Sequence, residues 1–146
     1  MRASTSIKEQ MKQWEGLSLK SYRCPAGVWT IGYGHTGADV TPDMEISRAA
    51  ASAIFGSDIA RFESGLAPVL AGVELTQGQY DALLSLSYNI GLEAFKGSTL
   101  LRKVKANPND STIPAEFSRW VYAQGKKLPG LVARRAGEAK VYVADN

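Results

Sequence analysis

Apolar residues at helical spacing recur along this chain from end to end, interrupted once, between Leu17 and Thr36, by a stretch of strand-like composition. That pattern restricts the fold to α+β, mainly α, with a short β-sheet near the front and a larger helical part behind it. Ser6-Ile7-Lys8-Glu9 has the form of a capping box and predicts a first helix carrying Ile7, Met11 and Trp14 that ends at Glu15 before Gly16. The following segment, with Tyr22, Val28, Trp29, Thr30 and Ile31 broken by Pro25-Ala26-Gly27, Gly32 and Gly34, predicts a hairpin or small sheet with one tight turn. Thr41-Pro42 reads as an N-cap with proline at the first helical position, and Asp43 and Glu45 suit the positive end of the helix dipole. That helix, with Ile46, Ala50, Ile54 and Phe55, continues or restarts after Gly56 and ends near Gly65 or Pro68. Thr76-Gln77-Gly78-Gln79 is a second capping box, opening a helix with Tyr80, Leu83, Leu84, Leu86 and Ile90 that Gly91 closes. Its apolar density makes it the expected centre of the core. Further helices are expected at Ser98 to Ala106, Pro114 to about Ala123, and about Gly130 to Val143.

A chain of 146 residues fits one domain, residues 1–146, that buries roughly two thirds of its unfolded surface. One cysteine forms no internal disulfide, and one cysteine with one histidine is too little for a zinc site, so neither metal nor cofactor is expected. No apolar run has the length of a secretory signal or membrane span, which implies cytoplasmic residence without membrane insertion. Charge is uneven. Met1 to Phe95 holds 7 Lys/Arg against 10 Asp/Glu, whereas Lys96 to Asn146 holds 10 against 4, a basic part of about +6 suited to an anionic polymer. No nucleic-acid-binding motif accompanies it, so nucleic acid is not the expected partner.

The rare chemistry is concentrated between Trp14 and Thr36, which holds Glu15, the sole cysteine Cys24 and the sole histidine His35. A glutamate at a helix C-terminus is electrostatically disfavoured, yet aromatic surroundings suit a carboxyl that must hold a proton, as a general acid does. Its plain alternative is an exposed helix-end residue. Cys24, before Pro25, is either a half-buried filler or a nucleophile with His35 as partner, although no third, orienting residue is evident. His35 more simply holds the glycine-rich turn by a ring-nitrogen hydrogen bond. Thr30 shares a strand face with Val28 and positions a water if that face lines a cleft.

Glu15, eight residues, Cys24, five residues, Thr30, then "IGYGHT", resembles the signature of the phage-type lysozymes of glycoside hydrolase family 24: glutamate, eight residues, aspartate or cysteine, five residues, threonine. "LTQGQYDALLSLSYNIG", "FKGSTLL" and "GLVARRAGEAKVY" are similar to later segments of the same family, so the resemblance spans nearly the whole chain. It implies a lysozyme-like fold, a small N-terminal lobe bearing the sheet and a larger helical C-terminal lobe with a cleft between them. It also implies an endolysin, a muramidase that cuts the β-1,4 bond between N-acetylmuramic acid and N-acetylglucosamine in peptidoglycan during host lysis. On that resemblance Glu15 is the acid, Cys24 holds the second catalytic position and Thr30 holds the attacking water. Tyr88 and Ser98 line the saccharide cleft, and Arg135 orients the catalytic glutamate. The implied setting is a monomer in the host bacterial cytoplasm that reaches the wall through a holin lesion. A free thiol is mostly neutral at pH 7, so a cysteine offers an oxocarbenium ion less charge than an aspartate does. A weak second group keeps a lytic transglycosylase, which yields anhydro products, as an alternative, and a non-catalytic wall-binding module is the other.

Overall fold

A computed structural model of the chain describes residues 1–144. Its elements run α1 (Thr5–Glu15), β1 (Ser18–Arg23), β2 (Trp29–Gly32), β3 (His35–Thr36), α2 (Arg48–Val69), α3 (Gln77–Ile90), α4 (Leu92–Lys96), α5 (Thr99–Ala106), α6 (Ile113–Phe117), β4 (Tyr122–Ala123), β5 (Lys126–Lys127) and α7 (Pro129–Val143). The first three strands form an antiparallel sheet in the order β1-β2-β3, with Tyr22 opposite Thr30 and Ile31 opposite His35. The sheet forms the small lobe, and the helices form the larger one.

Helix α3 is the core's axis, as its apolar density predicts. Every residue from Gly78 to Ser87 is buried. The Thr76 hydroxyl accepts from Gln79 N while Gln79 Oε1 accepts from Thr76 N, so the capping box is formed in both directions. Around this helix pack Ile7 and Met11 of α1, Phe95, Leu100 and Val104 of α4 and α5, Phe117 of α6 and Tyr142 of α7. Helix α1 is thus part of the helical body, and its last residue, Glu15, emerges where that body meets the sheet.

Three boundaries differ from the sequence expectation, two of them because a distant group intervenes. The first helix is capped by Ser4, not Ser6. Its hydroxyl accepts from Ile7 N and donates to Asp81 of α3, whose other carboxylate oxygen accepts from Ser4 N. Thr41-Pro42 does not open α2. Asp43 adopts a left-handed φ of 62°, and residues 44–46 run beside β1, Ser21 N donating to Met44 O and Ile46 N to Leu19 O. The cap falls to Ser47, which accepts from Ala50 N. The helix then runs unbroken through Gly56 and Gly65 and takes Pro68 into its last turn. Finally, the helix expected to reach Ala123 stops at Phe117, and β4 and β5 form a second hairpin. Its two turn residues, Gln124 (φ 51°) and Gly125 (φ 77°), are both left-handed, as a tight two-residue hairpin requires.

Two helical glycines have opposite reasons to be there. A Cβ at Gly56 would meet nothing within 4 Å, whereas one at Gly137 would lie 2.6 Å from Trp14 Cζ2, where α7 crosses the end of α1. Gly56→Ala is therefore expected to raise stability by about 0.5–1 kcal/mol through helix propensity. Gly137→Ala is expected to lower it despite the same propensity gain. Urea unfolding midpoints of the two variants check this, and stabilisation by both would contradict the packing at Trp14.

Candidate active site

Glu15, Cys24 and Thr30 reach one pocket from three separate segments. Glu15 ends α1, Cys24 opens the β1–β2 turn, and Thr30 lies inside β2. They line a pocket of about 540 Å³ together with Trp14, Tyr22, Gly34, Tyr88, Asn89 and the start of α7, including Arg134. Adjoining pockets on either side share Cys24 and Asn89 with it, so the three make one groove between the lobes. Among the described residues no group of three or more His, Cys, Asp or Glu is arranged to hold a metal ion.

Glu15 is held tightly. Its Oε1 accepts from Arg134 Nη1 at 2.8 Å, and both side chains are largely buried. The Arg134 guanidinium lies over the Trp14 ring, 5.6 Å from its centroid. On the other side the carboxyl abuts Gly34, where a Cβ would come within 2.5 Å of Oε2 and where φ is +76°. Glycine is thus required at Gly34 both by its backbone conformation and by the Glu15 side chain beside it. Burial, then the charges of Glu15 and Cys24, push the Tyr22 phenol above its ordinary value, so the cleft wall here carries a neutral hydroxyl.

Thr30 is 3% exposed, and its hydroxyl donates to Val28 O at 2.9 Å, which leaves the oxygen to accept from the pocket. Cys24 is half-buried with a free thiol, in a turn closed by Cys24 N donating to Val28 O and Gly27 N to Cys24 O. Tyr88 both packs and lines the groove. Its hydroxyl donates to Tyr33 O at 2.7 Å, and its ring meets Phe55 and Phe62.

Two expected residues are not brought here. Ser98 caps α5, accepting from Leu101 N and donating to Phe95 O, and is buried away from the groove. The arginine against Glu15 is Arg134, not Arg135. Arg135 turns inward to Glu138 and donates through Nη2 to Asn89 Oδ1 at 2.7 Å. Adjacent arginines on a helix differ by about 100° in direction, and an "RR" pair gives no signal as to which one faces the cleft. Asn89, Ser85 and Glu138 also escape the sequence reading, which has Gly34 as a break in the strand pattern without its contact to Glu15. Asn89 and Gly34 lie inside the quoted motifs, but only the fold shows that they line the site.

Residues 12–138 match the Phage lysozyme family. The chain belongs to that family. It is 44% identical over 136 residues to the endolysin of Acyrthosiphon pisum secondary endosymbiont phage 1, covering 90% of this chain and 91% of the relative. It is 40% identical to the endolysin of Bacillus phage PZA over 97% of this chain but spans about half, 55%, of that protein. Among solved structures, the muramidase domain of SpmX from Asticaccaulis excentricus superposes with a TM-score of 0.84 at 30% identity, covering 99% of both chains. The lysozyme fold expected from the sequence is the fold observed, and this member of the phage lysozyme family is a glycoside hydrolase.

His35 does more than hold its turn. Nδ1 meets Asp58 of α2 at 2.7 Å, Nε2 meets Asp39 at 3.0 Å, and Asp58 also pairs with Arg61, so the imidazole ties the sheet to α2 beside the groove. Burial pushes the imidazole down, but its bonds to Asp39 and Asp58 and the charges of both together hold it above the ordinary histidine value. A folded-state value above the unfolded one stabilises fully below about pH 6.5, and the gain is lost as pH rises through the raised value. The stability difference between wild type and His35→Gln, measured in urea, should therefore be largest near pH 5.5 and shrink by pH 9. A difference that grows with pH would overturn the assignment of an imidazolium.

Proposed function

We propose that the chain is an endo-acting muramidase in which Glu15 protonates the glycosidic oxygen of the β-1,4 bond between N-acetylmuramic acid and N-acetylglucosamine in peptidoglycan. The convergence of Glu15, Cys24 and Thr30 on one groove is the observation that carries the reading. Arg134 occupies Oε1 and leaves Oε2 for the proton. As that proton passes to the leaving oxygen, the bond from the anomeric carbon breaks and positive charge develops on the sugar ring. With its own proton committed to Val28 O, the Thr30 oxygen accepts from a water and turns that water's lone pair toward the anomeric carbon. The water's oxygen bonds to that carbon, and its proton leaves to the surroundings. Cys24 stands on the same groove as the second group, and Tyr88 offers a ring edge to a sugar.

In the wider reading the chain acts as one domain and a monomer, and the basic C-terminal part favours approach to the anionic wall. None of the described helices is long and apolar enough to cross a membrane, so in this reading a chain starting in the host cytoplasm reaches the wall through a holin lesion.

Mass spectrometry of fragments released from purified peptidoglycan tests the chemistry. Reducing-end disaccharide muropeptides are expected, with release by Glu15→Gln lower by about 10²–10⁴-fold or more. Anhydro products would move the assignment to a lytic transglycosylase, and no release by either protein would leave a wall-binding module. Cys24 has its own test. Cys24→Asp is expected to remain active and Cys24→Ser to lose part of its activity, and full activity of Cys24→Ser from about pH 5 to 9 would remove the thiol from the mechanism.

A further inference from the structure

Behind the groove, α7 turns two arginines and a glutamate into the protein rather than into water. Arg134 is 4% exposed, Arg135 1% and Glu138 0%. Glu138 touches both arginines. Its Oε2 accepts from Arg134 Nε at 3.2 Å and from Ser85 Oγ of α3 at 2.5 Å, and its Oε1 lies 3.1 Å from Arg135 Nε. Arg134 Nη2 is further held by Ser85 O at 3.3 Å. The guanidinium that grips Glu15 is therefore fixed from behind at Nε and Nη2 while Nη1 points at the acid.

Charge adds a second consequence. Two buried arginines without a counter-ion would act on Glu15 as a doubly positive wall, which favours a permanently ionised carboxylate, the wrong state for an acid. With Glu138 between them, the cluster presents a net charge of about one cation. The other titratable groups lining the pocket with Glu15 and Arg134 are the phenols Tyr22 and Tyr88 and the thiol Cys24, so among the described residues no second acidic side chain lines it. Burial pushes Glu138 up from the usual carboxylate range, and Arg135, Arg134 and Ser85 oppose that push. Burial also brings Arg135 down to about 10, which keeps it cationic at neutral pH.

We propose that Glu138 is a positioning residue for the catalytic acid: its buried carboxylate aims Arg134 at Glu15 and cancels the charge of the second arginine. The proposal rests on Glu15 as the acid, and the test separates the two ideas. In Glu138→Gln, the alkaline limb of the pH–activity profile, where the acid loses its proton, is expected to move to lower pH by about one unit, the usual effect of one more nearby cation. The carboxyl ¹³C resonance of Glu15 should titrate with the same displacement. Because removing one partner of a buried pair can destabilise the fold, the double variant Arg135→Gln with Glu138→Gln, which restores charge balance, is measured beside it. Its limb and resonance should return toward wild type. A limb and resonance unmoved in Glu138→Gln, or equally displaced in the double variant, would overturn the proposal. A Glu15→Gln enzyme that keeps its activity would overturn the acid assignment instead, while the ¹³C titration would still decide what Glu138 does to Glu15.

Discussion

The structure depends on a buried polar contact between α3 and α7. Charged groups removed from water are costly unless each meets a partner in good geometry, and breaking one such pair leaves the other group stranded. Ser85 on α3, Asn89 at its end and Glu15 on α1 supply hydrogen bonds to Arg134, Arg135 and Glu138, while Arg135 Nε faces Glu138 Oε1 at 3.1 Å as an ion pair without a hydrogen bond. The last helix therefore has little freedom to slide or rotate. Because Arg134 closes on Glu15, the same constraint that docks α7 also sets the Glu15 carboxyl.

The sheet contributes the opposite wall by economy of side chains rather than by charge. Gly34 brings bare backbone against Glu15, and Gly137 lets Trp14 lie flat on α7 under Arg134. The Glu15 carboxyl is thus enclosed by a guanidinium, an indole and a peptide bond, the last two admitted by glycines. Thr30, pinned to Val28 O, and Cys24, in the turn that follows β1, are carried to the groove by strand register: Tyr22 opposite Thr30 places both segments on the same edge of the cleft. The His35 pairs with Asp39 and Asp58 then tie this sheet to α2.

Much of this was legible in the sequence, and the failures have a common cause. The box at Thr76 was found because it is local, a side chain bonding a backbone group three residues away. The Ser6 and Thr41 readings failed because equally plausible local signals were outcompeted by Asp81 reaching Ser4 and by Met44 and Ile46 bonding β1. The second hairpin was missed because glutamine, at Gln124, is an uncommon residue for a left-handed turn position.

The sequence alone determined the helical class, the small front sheet and the spacing of Glu15, Cys24 and Thr30, because periodicity, capping and strand register are properties of neighbours along the chain. Only the tertiary structure decided which arginine grips Glu15, that Ser98 caps a helix instead of lining the cleft, and that Glu138 stands behind Arg134. The first and last of these turn on the rotation of α7 about its own axis. That rotation is fixed by the need to satisfy buried charge against residues some 50 to 120 positions away, and no local pattern encodes it.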